Sequence, residues 1–151
     1  MTSEPRATSA SPSISILEET LELLEWPRLC QHFSTFASTP QGRQHCLMGQ
    51  LPADLETTLT LQVRSMELAS LDGLLDGGLS FQGVYDLEMV VLRCSKGGTA
   101  SGEELLSVAH TLAAARRLCR QIDDPDLRPD CSALLENVAT LPELEQRLKF
   151  A

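Results

Sequence analysis

The fold is decided by residues 101–124, which read SGEELLSVAHTLAAARRLCRQIDD. Apolar residues recur in this stretch at spacings of three and four, the period of an amphipathic α-helix; they are Leu105, Val108, Ala109, Leu112, Ala115, Cys119 and Ile122. Ser101 and Glu104 have the spacing of a capping box, and Pro125 follows two aspartates that favour a helix end. We therefore predict that the longest helix of the chain begins after Ser101.

The flanking sequence predicts shorter helices that pack against this central one. The start signals of these helices are N-cap residues and prolines. These signals predict helices at Ile16–Trp26 (with Ser15 and Glu18 as a capping box), after Pro27, after Thr39 and Pro40, after Pro52 and Asp54, at Asp86–Cys94, at Asp126–Thr140 and after Leu141 and Pro142. The predicted inward sets are Leu55, Leu59, Val63 or Met66, and Leu68 in the fourth helix, and Leu127, Leu134, Leu135 and Val138 in the helix at Asp126–Thr140.

These elements define an all-α fold, a compact multi-helix domain of about six to eight helices. Residues 1–13 are mostly Ser, Thr, Pro and Ala, a composition that predicts a disordered tail. The predicted organisation is therefore a tail at 1–13 and a helical domain at 14–151. An apolar stripe that starts at Leu144 and Leu148 stops at Ala151 without a capping residue, so we expect a truncated last helix.

The composition is that of an ordinary globular protein, with 42% hydrophobic and 22% charged residues and a net charge of −9. The acidic balance argues against strong autonomous binding to nucleic acid. Five cysteines follow no disulfide framework, and the N-terminus lacks a secretory signal pattern. We therefore expect reduced thiols, a cytoplasmic location and no membrane contact.

No stretch carries a complete catalytic or metal-binding motif. The glycine-rich loop before Ser101 lacks the order of a phosphate-binding loop, since Lys96 precedes its glycines and two glutamates open the helix. Cys30 with His32, and His45 with Cys46, place their side chains on different sides of a helix. We predict no catalytic residue, cofactor or metal ligand, although a site formed by residues distant in sequence stays open.

One basic cluster remains, and it has two interpretations. Its members are Arg93, Lys96, Arg116, Arg117 and Arg120. Arg116 and Arg120 are one helical turn apart, so they share a face that could contact a phosphate backbone or a partner. The competing interpretation is a solvated face in which positive charge complements the helix dipole and Arg120 pairs with Asp124.

Several cap and turn motifs resemble one family in their order and spacing. They are the segment Thr20–Trp26 with Leu29, the turn Ser38–Arg43, Pro52, Gly78, Asp86, the turn Gly98–Leu105 and the helix Leu141–Leu148. Together they resemble the N-terminal region of the second branch of the MutS proteins, the endonuclease MutS two group. The resemblance covers roughly residues 17–151.

The resemblance implies a helical part that leads into the core and lever helices of a DNA clamp. In the family an ATPase that uses ATP and Mg²⁺, and usually a C-terminal Smr nuclease domain, follow this part. Members are linked to branched-DNA binding, suppression of recombination, mismatch-repair-like DNA maintenance and the splitting of collided ribosomes. The chain stops before the ATPase and Smr parts, so no ATP-binding or nuclease residue is carried over.

The resulting hypothesis is a structural and interaction module without its own catalysis. We expect a homodimer through helical surfaces, and contact with DNA or the ribosome through the full-length parent. The alternative is a small acidic adaptor that contacts nucleic acid through the face of Arg116, Arg117 and Arg120.

Overall fold

The computed structural model describes residues 16–149. The predicted tail at 1–13, Ser15 of the predicted first capping box and the end of the predicted truncated helix lie outside these residues. Eight helices and no strand occur between Ile16 and Lys149, so the all-α prediction is confirmed. The helices are α1 (Ile16–Leu23), α2 (Trp26–Ser34), α3 (Pro40–Met48), α4 (Leu55–Leu74), α5 (Glu88–Ser95), α6 (Gly102–Ile122), α7 (Pro129–Leu135) and α8 (Pro142–Lys149).

Local capping fixes the starts of the longer helices where the sequence predicts them. The Ser101 hydroxyl accepts a hydrogen bond from the Glu104 backbone N–H at 3.3 Å, and the Glu104 carboxylate accepts one from the Ser101 N–H at 2.8 Å. Thr39 caps α3 through the N–H of Gly42, and Asp54 caps α4 through the N–H of Thr57. These side chains satisfy backbone donors that the first helical turn leaves without a partner.

Two predicted helices are shorter in the structure. The first ends at Leu23 rather than Trp26, because Glu25 adopts a left-handed backbone conformation with φ 49° and Trp26 begins α2. The helix predicted at Asp126–Thr140 covers only Pro129–Leu135. Residues 124–128 form a separate turn, in which the Arg128 N–H donates to the Asp124 carbonyl oxygen at 2.7 Å.

The helices pack mainly in three pairs: α6 against α8, α2 against α3, and α4 against α7. Helix α6 also contacts α7 and buries Ala109 and Ala114. The apolar stripe predicted on α6 is buried or half-buried throughout, as the sequence indicates. Helix α6 is therefore the element through which α7 and α8 are joined.

The predicted inward sets of α4 and of the helix at Asp126–Thr140 are largely wrong. Leu55, Leu59, Val63 and Met66 are exposed, Leu68 is half-buried, and Leu71 is the residue that α4 buries. In the second set Leu127, Leu134 and Val138 are exposed and Leu135 is half-buried, while α7 buries Cys131 and Ser132. The physical reason is that α4 meets α7 on the side of Glu67 and the Arg64 carbonyl oxygen, which contact the start of α7, so the leucine-rich faces lie outside this contact.

No helix between Ile16 and Lys149 combines the length and the apolar character that crossing a membrane requires.

Candidate functional site

The basic cluster predicted as a contact surface occupies two ends of α6. Arg93 belongs to α5, and its guanidinium reaches the start of α6, where it pairs with the Glu104 carboxylate and donates to the Thr99 carbonyl oxygen at 3.0 Å. The hydrogen bond from Arg93, followed by that from the Ser101 N–H, lowers the pKa of Glu104 to about 2. Arg93 therefore holds the glycine-rich loop against the first turn of α6. In residues 16–149 the Lys96 ammonium makes no ion pair.

Arg117 binds the loop that precedes α5. Its guanidinium donates to the carbonyl oxygens of Ser80 and Gln82 at 3.0 and 2.9 Å. Six residues earlier on α6, the Thr111 hydroxyl accepts from the Tyr85 N–H at 3.1 Å and lies 3.3 Å from the Gly83 carbonyl oxygen. These contacts fix the loop on the side of α6, so the Arg117 side chain serves the fold of the chain itself.

Arg116 joins α6 to α8 through Glu145. The guanidinium donates two hydrogen bonds to the carboxylate, with Nε 3.1 Å from Oε2 and Nη2 3.2 Å from Oε1. Lys149 approaches the same carboxylate at 2.8 Å, and Glu145 is only 4% exposed. The hydrogen bond from Lys149, and after it the contact with Arg116, outweigh burial and lower the pKa of Glu145. Two cations thus hold one buried carboxylate in its charged form.

Arg116 and Arg120 share one groove, as their spacing predicts. The groove measures about 350 Å³ and runs between the end of α6 and the segment before α8; it is lined by Arg116, Cys119, Arg120, Asp123, Leu135, Val138, Thr140 and Pro142. The predicted pairing of Arg120 with Asp124 is wrong, because Asp124 pairs with Arg128 at 3.4 Å. The structure therefore leaves Arg120 at the edge of a groove that also contains the acidic Asp123.

Two residues that no sequence motif singles out, Arg128 and Glu67, organise the junction of α4, α6 and α7. Arg128 is 8% exposed and donates to the carbonyl oxygens of Ile122 and Gln121, which are the last carbonyls of α6. The Glu67 carboxylate on α4 accepts hydrogen bonds from the N–H groups of Asp130 and Cys131 at the start of α7. Burial tends to raise the pKa of Glu67, but the hydrogen bonds from Cys131 and Asp130 and the Arg128 charge lower it overall.

A second groove lies between α2 and α3 and is mainly apolar. It measures about 420 Å³, and its lining includes Trp26, Cys30, Phe33, Phe36, His45 and Cys46. The Trp26 indole N–H donates to the Gly49 carbonyl oxygen at 2.8 Å. In the described part of the chain no group of three His, Cys, Asp or Glu residues is placed to hold a metal ion. The chemistry that these surfaces offer is therefore the binding of apolar and charged partner groups.

Comparison with known proteins finds relatives that share one name, Endonuclease MutS2. The chain is 40% identical over 140 residues to Endonuclease MutS2 of Synechocystis sp., a match that covers 93% of this chain and 17% of the relative. Endonuclease MutS2 of Symbiobacterium thermophilum is 29% identical over 136 residues, which cover 89% of this chain and 17% of that protein. Endonuclease MutS2 of Bacillus cytotoxicus is 28% identical over 130 residues. No family model matches the chain, and no solved structure matches it.

These matches relate the chain to MutS-type proteins. Within that class it is related to the MutS2 branch over nearly its whole length, which confirms the resemblance seen in the cap and turn motifs. The chain spans 17% of the length of the first two relatives.

Proposed function

We propose that the chain acts as the N-terminal helical module of a MutS2-like protein, with structural and interaction roles and no catalysis of its own. The observation that carries the proposal is the 40% identity over 140 residues to a protein named Endonuclease MutS2. The work of the whole protein would be DNA maintenance, such as suppression of recombination or a mismatch-repair-like role, or ribosome rescue in the cytoplasm. ATP, Mg²⁺ and any endonuclease chemistry would belong to other parts of such a protein.

The contacts of the charged residues support a structural role. Arg93, Arg117 and Arg128 bind backbone carbonyl oxygens of neighbouring turns, and Arg116 binds Glu145. Each of these side chains joins two elements of the same chain. A module that uses its arginines in this way contributes shape and rigidity rather than reactive groups.

The exposed apolar side chains support an interaction role. Large hydrophobic residues are exposed on almost every helix, including Leu23 on α1, Phe36 after α2, Met66 on α4 and Met89 on α5. Extended exposed apolar surface marks sites at which proteins bind other proteins or other parts of themselves. The surfaces of this module are therefore suited to packing against further protein.

The rival function, nucleic-acid contact through Arg116, Arg117 and Arg120, receives less support from the contacts. The guanidinium groups of Arg116 and Arg117 are bound within the chain, and the net charge is −9. Arg120 is the member of this set best placed to reach an external phosphate. If the rival function operates, the isolated chain shifts branched DNA at low salt, and Arg120→Gln weakens that shift.

A chimera tests the proposal directly. The matched region of the Synechocystis relative is replaced by this chain, and the chimera is compared with the natural protein and with a deletion of the same region. We expect the chimera to restore the melting temperature, the oligomeric state and the branched-DNA or ribosome binding of the natural protein. A chimera that behaves like the deletion while this chain folds normally by circular dichroism would contradict the proposal.

A further inference from the structure

The groove between α2 and α3, which we call the α2–α3 groove, has aromatic walls that solvent can reach. Phe33 and Phe36 line it three residues apart, and they are 52% and 70% exposed. Trp26 and Cys30 line it as well. The Trp26 indole N–H already donates to the Gly49 carbonyl oxygen, so the ring offers an apolar surface without an unpaired donor. These walls suit the apolar side chains of a partner.

The size of the α2–α3 groove favours a single helix of a partner over a whole folded domain. The groove measures about 420 Å³ and is lined by nine residues. An interface between two folded proteins uses about 20–30 residues on each side. Amphipathic helices bind in grooves of this kind through apolar residues spaced three or four positions apart. The groove therefore fits the apolar face of one short helix.

The segment that forms the α2–α3 groove differs in charge from the rest of the chain. The whole chain has a net charge of −9, but residues 26–53 contain no Asp or Glu. The carboxylates that bracket this segment are both bound, Glu25 by the Arg28 guanidinium at 2.7 Å and Asp54 by the Thr57 N–H at 2.7 Å. A negatively charged partner therefore meets less repulsion here than along the carboxylate-rich remainder of the chain.

Two basic residues lie on the α3 side of the α2–α3 groove. His45 lines the groove, and Arg43 lies one turn before Cys46, which is also part of the lining. Arg43 is exposed, and its guanidinium makes no ion pair within residues 16–149. A guanidinium in this position can bind a carboxylate at the edge of an apolar segment through two parallel hydrogen bonds.

We propose that the α2–α3 groove binds an acidic amphipathic helix of a separate protein. Apolar side chains of that helix pack against Trp26, Phe33 and Phe36, and one of its carboxylates pairs with Arg43. The inference goes beyond the proposed function, because it depends on α2 and α3 and not on the relationship to MutS2. The contact area is small, so the affinity is low and the partner exchanges rapidly.

Tryptophan fluorescence of the whole chain tests the proposal, because Trp26 is the single tryptophan of the sequence and lines the groove. The probe is a synthetic peptide of about 14 residues, roughly four helical turns, that lacks Trp and Tyr. It carries Leu and Phe on one face and Glu on the other, and a second peptide has Lys in place of every Glu. We expect the acidic peptide to move the emission to shorter wavelength and to bind about tenfold more tightly than the lysine peptide.

The apolar part of the contact is tested at Phe33 and Phe36. Phe33→Gln and Phe36→Gln are each expected to weaken binding of the acidic peptide about fivefold or more, because each removes an aromatic wall of the groove. The matched control is Met48→Gln, because Met48 is 59% exposed on α3 but does not line the groove. It is expected to bind the peptide as the natural chain does. Circular dichroism of every variant confirms helical folding.

The charged part of the contact is tested at Arg43. Arg43→Gln is expected to weaken binding of the acidic peptide about threefold, the size of an exposed ion pair. Gln44→Glu changes the net charge by the same amount, but Gln44 lies two residues before Cys46 and so on another side of α3. This control is expected to bind as the natural chain does. The comparison separates a local pairing from the overall charge of the protein.

Three results with these peptides would overturn the proposal. The first is an unchanged emission of Trp26 at acidic peptide concentrations up to about 1 mM. The second is equal binding of the acidic and the lysine peptide, which would exclude an acidic partner. The third is equal weakening by Met48→Gln and by the two phenylalanine variants, which would place the contact outside the groove.

Other occupants of the groove would also overturn the proposal, and each gives a different result. A stronger response of Trp26 to oligothymidylate than to the acidic peptide would identify a nucleic acid. An emission that changes with protein concentration in the absence of peptide would identify a second copy of the chain. Displacement of the peptide by the Synechocystis relative that lacks its matched region would assign the groove to the remainder of a MutS2 polypeptide.

Discussion

The guanidinium of Arg116 binds the carboxylate of Glu145 through two hydrogen bonds of 3.1 and 3.2 Å, although the two residues are 29 positions apart in the chain. This contact fastens α8 to α6, and Lys149 completes the charge balance around the buried carboxylate. Because Glu145 is buried, its charge depends on these cations, and we expect the pair to contribute to the docking of the last helix.

We expect Glu145→Gln to loosen α8 while α6 keeps its helical structure. The amide cannot balance Arg116 and Lys149 as a carboxylate does, so backbone amides in 142–149 should exchange with solvent faster. Hydrogen exchange followed by mass spectrometry measures this. Arg147→Gln, in the same helix but outside the pair, is the control. Equal protection of α8 in the natural chain and in Glu145→Gln would show that the ion pair does not dock this helix.

Gly49→Ala is expected to destabilise the packing of α2 against α3. Gly49 has φ +57°, and an added Cβ would lie 2.5 Å from the Cys30 Sγ and 2.8 Å from the Trp26 Nε1. A non-glycine residue in this conformation costs about 1–3 kcal/mol, and the close contacts add to that cost. Urea unfolding measures the change in the free energy of unfolding.

Gly97→Ala is the matched control for this substitution. Its φ is +83°, but an added Cβ meets no atom within 4 Å. The two variants share the backbone strain, so the extra loss in Gly49→Ala reports the contact with Trp26 and Cys30. An equal loss in both variants would argue against tight packing at Gly49.

Ser101→Ala is expected to reduce stability by about 0.5–2 kcal/mol, the usual effect of removing a side-chain N-cap. The hydroxyl is one half of the capping box at the start of α6. Ser107→Ala, within the same helix, is the control, because the Ser107 hydroxyl only bonds back to the Glu103 carbonyl oxygen. Thermal unfolding of the two variants separates capping from a general effect of losing a hydroxyl.

Stability is expected to fall at acid pH partly because of Glu104. Its pKa is lowered from 4.5 to about 2 in the folded chain by Arg93 and by the Ser101 N–H. A carboxyl with a lowered folded pKa stabilises the fold fully above the unfolded pKa, and that contribution is lost as the pH falls through the folded pKa. Urea unfolding between pH 6 and pH 2 should therefore show a loss that is smaller in Glu104→Gln. In the control Glu103→Gln the acid loss of stability should be as large as in the natural chain. Identical curves of unfolding free energy against pH for all three chains would contradict a role of Glu104 in this loss.

Cys131 is expected to resist thiol reagents in the folded chain, whereas Cys94 reacts readily. Cys131 is 1% exposed, and burial, with the Glu67 contact, raises its pKa to about 11. The thiolate is the reactive form, so both effects slow alkylation. Cys94 is exposed on α5. Peptide mapping after a short treatment with N-ethylmaleimide measures both sites, and early labelling of Cys131 would mean that α4 and α7 separate easily.

Local signals in the sequence were enough to place α6, its capping box and the starts of α3 and α4. Each depends on residues three or four positions apart, whose interactions form within one helical turn. The end of α1 and the start of α7 were less predictable. The first depends on the backbone conformation at Glu25, and the second depends on the turn closed by Arg128 and Asp124.

The faces of the helices and the ion pairs could not be derived in the same way. The period of α4 shows that Leu55, Leu59 and Met66 share a face, but it does not show whether another helix covers them. Similarly, the pairing of Arg116 with Glu145 joins residues far apart in the chain, so no local pattern predicts it. The sequence therefore suggests that the whole basic cluster can bind a phosphate, whereas the structure shows that Arg116 is already bound within the chain.

The proposed role as a module of a MutS2-like protein is tested by association of this chain with the rest of a MutS2 protein. The measurement is the mass, by size-exclusion chromatography with light scattering, of an equimolar mixture of this chain and the Synechocystis relative lacking its matched region. We predict a complex that contains both polypeptides in equal amounts. Separate elution of two folded polypeptides at micromolar concentration would contradict it.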